Sequence, residues 1–178
     1  MSIKITYFVH GSTTDNEHGI SSGWSNIEIN TLGKQQNQDL YELLKNKHFD
    51  VIYCSDLKRA IESANTVFPG QKIIQDKRLR ECNYGVLNGA REEEVVYEDH
   101  ITEPFPNGEC LKDVEKRIKS LAIDLKKQYN GKRIALMAHK APQLALEVVT
   151  NKKTWKQAIS QDWRKTGKWQ PGWEYLIE

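Results

Sequence analysis

Two apolar segments that lie far apart in the chain each end in a histidine. The first is Ile3-Lys4-Ile5-Thr6-Tyr7-Phe8-Val9, followed by His10 and Gly11. The second is Arg133-Ile134-Ala135-Leu136-Met137-Ala138, followed by His139. Short runs of aliphatic, aromatic and β-branched residues predict buried strands. Because ligands of open α/β sheets bind at the carboxyl ends of the strands, we expect both imidazoles at one site. A single histidine could equally do no more than close a strand.

The rest of the chain alternates predicted strands with predicted helices. Additional strands are predicted at 49–54, 73–74 and 173–177. Helices are predicted after Asn30, after Ser55 or Asp56, over 111–129, from Pro142 and, with a basic face, within 151–169. Residues 12–26 are rich in turn formers and predict one long functional loop. This alternation favours an α/β fold, a three-layer α/β/α sandwich with a mostly parallel central sheet, in a single domain over 1–178.

Charge and composition exclude several classes of function. The 178 residues include 26 Lys and Arg against 24 Asp and Glu, which gives no argument for nucleic acid or a membrane as partner. No apolar run approaches the roughly 18–20 residues of a membrane span, so we expect a cytoplasmic protein, monomeric or homodimeric. The three cysteines, Cys54, Cys82 and Cys110, form no C-x-x-C pair and are expected to be reduced and structural.

Two more charged residues stand where they suit catalysis. Arg59 lies one turn into the helix after the 49–54 strand, where its planar guanidinium can face an oxyanion at the helix start. Glu81 lies on a glycine-rich loop and can act as an acid or a base. Two histidines, an arginine and a glutamate suit phosphoryl transfer through a nitrogen nucleophile. The sequence contains no Asp-rich metal cluster or Walker loop, so we expect no metal and no cofactor.

Short motifs around these residues follow the order found in a known family. Val9-His10-Gly11-Ser12-Thr13 resembles the Arg-His-Gly-x-Thr signature of the histidine phosphatase superfamily, the phosphoglycerate mutase-like proteins. The other matching segments are Asn16, Gly33 with Gln36, Ser55-Asp56-Leu57-Lys58-Arg59-Ala60, Leu79-Arg80-Glu81-Cys82-Asn83-Tyr84-Gly85, Pro106-Asn107-Gly108-Glu109 and His139. The resemblance extends past residue 140 and implies the phosphoglycerate mutase-like fold.

The resemblance also implies a role for each candidate residue. His10, oriented through its other ring nitrogen, would attack phosphorus and become phosphohistidine. Glu81 would protonate the leaving oxygen and then activate water. Arg59 and His139 would hold the phosphoryl oxygens as negative charge builds on them. The implied function is hydrolysis of a small phosphorylated metabolite, with inorganic phosphate as the other partner.

The chain departs from the family pattern at two positions, one before His10 and one after His139. Gly11 and Asn16 match the pattern and are expected to contact phosphate, but Val9 replaces the arginine that precedes the nucleophile. Losing such a donor costs roughly 3–4 kcal/mol of transition-state stabilisation if nothing replaces it. Lys140 stands where the family usually has glycine, and we hypothesise that it supplies the missing charge. The alternative is that Lys140 faces solvent in a turn.

Three functions therefore remain open. The favoured one is a phosphatase; the second is a pseudophosphatase that only binds an anion or a partner, which Val9 supports. A phosphoglycerate-type mutase is disfavoured because the segment between Gly89 and Pro106 is short. Its acidic residues would disfavour polyanionic substrates if they capped the site, although a solvated surface away from the site is the simpler explanation. Further candidates for phosphate contact are Arg78, Arg80 and Arg91.

Overall fold

The computed structural model describes residues 2–166 and 171–178. Its strands are β1 (Ile3–Val9), β2 (Ile20–Ser21), β3 (Val51–Cys54), β4 (Ile73–Gln75), β5 (Ala90–Arg91), β6 (Arg133–Ala138) and β7 (Trp173–Ile177). Its α-helices are α1 (Thr14–Glu17), α2 (Thr31–Leu44), α3 (Lys58–Val67), α4 (Leu111–Gln128), α5 (Lys140–Asn151) and α6 (Trp155–Ser160). Short 3-10 turns lie between β4 and β5 and between β5 and α4, and another, Trp163–Thr166, follows α6.

Five strands form the central sheet in the order β4-β3-β6-β1-β7. The first four are parallel, and β7 runs antiparallel to β1 at the edge. In the β1–β6 pairing Val9 lies opposite Ala138, and the His10 amide donates to the Ala138 carbonyl at 3.1 Å. The register therefore brings the residues that follow the two strands, His10 and His139, to the same edge of the sheet.

The side chains of β1 show why helices cover both faces of the sheet. Ile5 and Tyr7 join a core that includes buried residues of α4, α5 and α6, whereas Phe8 joins a second core with residues of α2 and α3. Successive side chains of a strand point to opposite faces, so a strand that is apolar on both faces must lie between two layers. The predicted three-layer, mostly parallel α/β architecture is confirmed.

Several local predictions differ from the structure. Residues 12–26 contain α1 and β2, because Thr13 and Asn16 form a capping box that starts a short helix. Helix α5 begins at Lys140, two residues before Pro142. The segment 151–169, predicted to contain one short helix, holds the last residue of α5, all of α6 and the 3-10 turn Trp163–Thr166, and its residues 167–169 lie outside the described part of the chain. Among the helices of the described residues, none has the length and apolar character needed to cross a bilayer.

Candidate active site

A cavity of about 490 Å³ opens at the carboxyl edge of the sheet. Three of the four predicted catalytic residues, His10, Arg59 and Glu81, line it. The fourth, His139, is fully buried beside the cavity, with its ring centroid 5.0 Å from that of His10. The structure thus brings together four residues that the sequence spreads over the whole chain.

The ring of His10 is held in one tautomer. Its Nδ1 lies 2.7 Å from the Gly11 carbonyl oxygen, which can only accept, so Nδ1 carries the hydrogen. The lone pair then lies on Nε2, which accepts a hydrogen bond from Arg59 Nε at 3.2 Å. Burial and the adjacent Arg59 guanidinium lower the pKa of His10 to about 3. The imidazole is therefore neutral near neutral pH and presents a nucleophilic nitrogen.

Gly11, which the sequence predicts to contact phosphate, orients His10 and is not among the cavity-lining residues. Its carbonyl accepts from His10 Nδ1, and its amide donates to Ser63 Oγ at 3.0 Å. Both backbone groups are thus already used. A Cβ at this position would lie 2.5 Å from the Gly33 carbonyl oxygen on α2, so only glycine lets the loop after β1 approach that helix.

Arg59, the second residue of α3, is fixed by three hydrogen bonds. It is 2% exposed, and its Nη1 and Nη2 donate to the backbone carbonyls of Ser25 and Gly23 at 2.9 and 2.8 Å. Its Nε donates to His10. The two carbonyls keep the guanidinium directed at the nucleophile.

His139 caps the start of α5 with its ring turned towards His10. Tyr7, on β1, holds its backbone from both sides: the hydroxyl accepts from the His139 amide at 3.0 Å and donates to its carbonyl at 2.7 Å. Burial and the nearby Arg59 charge lower the pKa of His139 well below its usual value. Neither ring nitrogen has a hydrogen-bond partner among the described residues. A buried unpaired N–H costs roughly 1–3 kcal/mol, and an oxyanion at the site would satisfy it.

The Glu81 carboxylate is anchored to the first turn of α5. Oε1 accepts from the backbone amides of Cys82 and Ala141 at 2.8 and 2.9 Å, and Oε2 accepts from the Lys140 amide at 3.1 Å. The Glu81 carbonyl accepts from Arg117 Nη2 at 3.0 Å. The backbone amides at the start of α5 therefore bind the Glu81 carboxylate and hold it at the wall of the cavity, so they are not available to bind an external anion.

Asn16 and Lys140 both line the cavity, as predicted for phosphate-binding residues, but each has other partners. Asn16 Oδ1 accepts from the Thr13 amide and hydroxyl, which leaves the amide nitrogen as its potential donor to an anion. Lys140 Nζ lies 3.6 Å from Asp162 Oδ2 and 4.7 Å from the Tyr97 ring centroid. Its charge is therefore partly offset by a buried carboxylate.

The three additional arginine candidates are not among the cavity-lining residues. Arg78 pairs with Asp76, Arg80 pairs with Asp56 through both oxygens, and Arg91 lies exposed on β5. The sequence suggested these three arginines only because they lie close to the motif residues along the chain. Proximity along the chain does not reveal that acidic partners already bind these guanidinium groups.

Two groups of lining residues follow no motif, although a cap formed by the acidic segment is one of the two alternatives that the sequence leaves open. One is the acidic segment: Glu92, Val95 and Tyr97 line the cavity, so its beginning forms a wall of the site and not a remote surface. The other comes from the end of the chain, where Trp163, Arg164 and Trp173 also line the cavity. No motif marks these residues, because only the tertiary fold brings them to β1.

Metal-binding clusters are absent from residues 2–166 and 171–178, where no group of three or more His, Cys, Asp or Glu side chains could hold an ion. Cys54, Cys82 and Cys110 are free and buried. Burial raises the pKa of the Cys54 thiol to about 12 and of the other two thiols above their usual value. These thiols are therefore protonated and structural.

A family model describing the histidine phosphatase superfamily (branch 1) matches residues 7–166, which include all four candidate catalytic residues. The chain belongs to this superfamily. Among similar members, phosphoserine phosphatase 1 of Hydrogenobacter thermophilus is 27% identical over 157 residues, covering 81% of this chain and 74% of that protein. The 2,3-bisphosphoglycerate-dependent phosphoglycerate mutase of Cytophaga hutchinsonii is 28% identical over 149 residues, covering 73% and 68%.

Solved histidine phosphatase structures share the fold. A mycobacterial glucosyl-3-phosphoglycerate phosphatase in complex with VO3 superposes with a TM-score of 0.76 at 24% identity, over 88% of this chain and 86% of that one. A phosphoserine phosphatase variant of Entamoeba histolytica in complex with phosphoserine gives 0.79 at 23% identity, over 89% and 84%. At this level of identity the likeness establishes a phosphoglycerate mutase-like α/β fold.

Proposed function

We propose that the protein is a cofactor-independent phosphomonoesterase that hydrolyses a small phosphorylated metabolite through phosphohistidine at His10. The observation that carries the proposal is the state of His10: a neutral ring whose Nδ1–H is used by the Gly11 carbonyl and whose Nε2 lone pair lies at the cavity beside Arg59. A nitrogen nucleophile must be unprotonated and oriented before it can attack phosphorus.

In the first step, Nε2 of His10 would donate its lone pair to phosphorus, and the phosphorus–oxygen ester bond would break. Glu81, on the cavity wall, is the group available to give a proton to the leaving oxygen. As the N–P bond forms, Arg59 would keep its proton, and its Nε–H would donate a hydrogen bond to a phosphoryl oxygen instead of to His10 Nε2. The unpaired ring of His139 would donate to a second oxygen.

In the second step, water would attack the phosphohistidine. Glu81 would take the proton that the water loses, the N–P bond would break, and inorganic phosphate would leave with His10 restored as a neutral imidazole. Glu81 is then protonated again and ready for the next leaving group. Protons and charges balance over the cycle, and no metal or organic cofactor takes part.

The walls of the cavity favour substrates with one phosphate group. On the wall formed by the acidic segment, Glu92 brings a carboxylate to the lining, and Tyr97 adds an aromatic surface. A second phosphate on the substrate would meet like charge, whereas a neutral or ammonium-bearing group would not. Relatives named as a phosphoserine phosphatase and as phosphoglycerate enzymes suggest small metabolites for the first screen.

The test is hydrolysis of 4-nitrophenyl phosphate and of a panel containing phosphoserine, 3-phosphoglycerate and 2,3-bisphosphoglycerate. His10→Ala should abolish turnover, and His48→Ala is the matched control because this side chain is 80% exposed and lies away from the cavity lining. Acid-quenched wild type should carry an acid-labile, base-stable phosphoryl group that His10→Ala lacks. Equal rates on mono- and bisphosphates would contradict the proposed preference.

The second candidate is a pseudophosphatase that binds an anion without turnover, and Val9 is the observation that favours it. Without a donor at this position, the site loses more affinity for the transition state than for bound phosphate. If wild type and His10→Ala are equally inert on the whole panel while wild type still binds phosphate, this second function is correct.

A further inference from the structure

The phosphoryl site lacks one positive charge at the end of β1. Val9 occupies the position of the family arginine, is partly buried and lines the cavity. It packs against the larger core and can offer no hydrogen bond. A group from elsewhere in the fold must replace that charge if the site is to stabilise a phosphoryl transition state.

Lys140, the replacement expected from the sequence, is poorly suited to the task. Its Nζ is paired with Asp162 Oδ2 and lies over the Tyr97 ring. It is also a point charge that cannot make the paired contacts of a planar guanidinium. Lys140 therefore acts mainly as a partner of Asp162 in this structure.

Besides Arg59 and Lys140, the cavity is lined by a further cation, Arg164. Its Nη1 donates to Asp162 Oδ1 at 2.8 Å and to Gln143 Oε1 at 3.1 Å, which fixes one edge of the guanidinium. Its Nη2 is buried and has no hydrogen-bond partner within the described residues. Arg164 lines the same cavity as His10, and its positive charge adds to burial and Arg59 in lowering the pKa of His10.

Two tryptophans hold the guanidinium in place. The Arg164 Cζ atom lies 5.3 Å from the ring centroids of both Trp163 and Trp173, which also line the cavity. Guanidinium groups stack well on aromatic faces, and stacking limits their rotation. An arginine fixed by stacking and by two acceptors loses little further freedom when it binds an oxyanion.

The charges of this corner favour an anion. Asp162, 5% exposed, is paired with both Lys140 and Arg164, so the three side chains together carry one net positive charge. Among the described residues, His139 and Arg164 both have buried side-chain nitrogens without a hydrogen-bond partner. Both groups are donors that a tetrahedral oxyanion can satisfy: the His139 ring centroid lies 5.0 Å from that of His10, and Arg164 lines the same cavity as His10.

We propose that Arg164 replaces the missing arginine of the nucleophile motif and binds the phosphoryl group during transfer, with Asp162, Trp163 and Trp173 holding it in position. The inference rests on the proposed function, because it assigns an oxygen ligand to the same phosphoryl site. The nonbridging oxygens would accept from Arg164 as well as from Arg59 and His139. A guanidinium from the C-terminal region would thus supply the positive charge that the arginine before the nucleophile supplies in the family signature.

The experiment compares Arg164→Gln with wild type in two assays: kcat/KM for 4-nitrophenyl phosphate and the dissociation constant for vanadate. Loss of one transition-state donor should lower kcat/KM by roughly 100-fold, and loss of one charged hydrogen bond should weaken vanadate binding by about tenfold. Lys165→Gln is the matched control, because Lys165 is the next residue of the same turn, is 55% exposed and does not line the cavity. It should behave as wild type in both assays.

Val9→Arg in the Arg164→Gln background tests the replacement directly. Because Val9 lines the cavity, the new guanidinium should recover at least tenfold of the lost kcat/KM and tighten vanadate binding. Recovery also shows that Arg164→Gln folds; circular dichroism checks the single variant, whose Asp162 keeps Lys140 as a partner. If the double variant recovers neither kcat/KM nor vanadate affinity, Arg164 does not replace the missing arginine.

Other outcomes separate this inference from the proposed function. If wild type hydrolyses phosphomonoesters and Arg164→Gln does so equally well, the role of Arg164 is wrong and the function stands. If wild type hydrolyses nothing, the vanadate constants still decide whether Arg164 binds the anion. A loss confined to substrates that carry a carboxylate, with normal rates on 4-nitrophenyl phosphate, would also overturn the assignment, because Arg164 would then bind another part of the substrate.

Discussion

At the scale of single residues, the site depends on keeping two imidazoles neutral. Burial next to Arg59 lowers the pKa of both His10 and His139. A protonated His10 would have no lone pair for phosphorus, so the same desolvation that makes the ring costly to charge preserves the nucleophile. The effect has a consequence for stability, because the two histidines titrate normally in the unfolded chain.

We expect the free energy of unfolding to fall as the pH is lowered from about 6.5 towards 4. In this range the unfolded histidines, with pKa values near 6.5, bind protons that folded His10, with a pKa of about 3, does not. The loss should reach up to about 1.4 kcal/mol per pH unit for each imidazole and should vanish above pH 7. Urea unfolding between pH 7.5 and 4 measures it.

His10→Gln should reduce this pH dependence, because it removes one of the two titrating rings. His48→Gln, at a side chain that is 80% exposed, is the control and should leave the slope unchanged. If His10→Gln and wild type show the same slope, the folded ring is not held neutral as the structure indicates.

The position of Glu81 leads to a second prediction, which concerns the leaving group. Glu81→Gln keeps the size of the side chain but cannot transfer a proton, so hydrolysis of alkyl phosphates should fall by roughly 10²- to 10⁴-fold. Nitrophenolate leaves without protonation, and the first step with 4-nitrophenyl phosphate should survive. Rapid mixing should then show a burst of nitrophenolate that matches the enzyme concentration, followed by slow turnover. Equal losses on both substrates with no burst would argue against an acid–base role.

At the scale of elements, the nucleophile loop is set by its contact with α2. Gly33 on α2 lies so close to this loop that a Cβ would be 2.0 Å from the Ser12 carbonyl oxygen and 2.6 Å from its amide nitrogen. Gln36 Oε1 accepts from the same amide at 2.8 Å. The glycine and glutamine of the G-x-x-Q motif thus dock the loop that follows His10.

Gly33→Ala provides a test in which two effects have opposite signs. In an ordinary helix interior, alanine is favoured over glycine by about 0.5–1 kcal/mol. Here the new methyl group must displace the Ser12 backbone, and overpacking of this kind costs about 1–3 kcal/mol. We expect a net loss of stability and a larger loss of kcat/KM, because the loop that carries His10 moves. Urea unfolding and 4-nitrophenyl phosphate kinetics measure the two.

Lys34→Ala is the control for Gly33→Ala, since Lys34 is exposed on the same helix. It should change neither stability nor rate beyond a few tenths of a kcal/mol. A Gly33→Ala variant that is as stable as wild type would show that α2 and the loop can separate without cost, and that the motif has another purpose.

Elements with a strong local signal were predictable from the sequence. β1 and β6 are apolar on both faces because they lie between two helix layers, and that pattern is visible without a structure. α1 was missed because four residues carry no hydrophobic period, and only the Thr13–Asn16 capping box marks its start. The antiparallel direction of β7 has no local signature, since direction depends on the path of the preceding chain.

At the scale of the whole molecule, some residues of the site could be predicted from sequence motifs, whereas others reach it only through the tertiary fold. His10, Arg59, Glu81 and His139 follow motifs, so the sequence identified them before the cavity was visible. Arg164 has no motif, because its place in the cavity lining depends on the path of the chain after α5. The same reason explains why Glu92 appeared to belong to a remote surface: long-range contacts, and not neighbours in sequence, decide what lines a cavity.

A ligand at this cavity would bridge distant parts of the chain, and this leads to the last prediction. The lining comes from β1, α3, the Glu81 loop, the acidic segment and the C-terminal turn. An anion that binds only the folded state stabilises it by RT ln(1 + [L]/Kd), about 2.7 kcal/mol at one hundred times Kd. For a chain of this size, this corresponds to a rise in Tm of about 5–10 °C. The rise should follow the logarithm of the phosphate concentration once that exceeds Kd.

Potassium chloride at matched ionic strength is the control, because general screening acts on exposed ion pairs and does not require the cavity. Arg164→Gln should show a smaller rise than Lys165→Gln at every phosphate concentration, since it removes one ligand of the anion. If phosphate and chloride give the same Tm in wild type, the cavity does not hold a tetrahedral anion, and the neutral pair His10 and His139 would have to serve some purpose other than phosphoryl transfer.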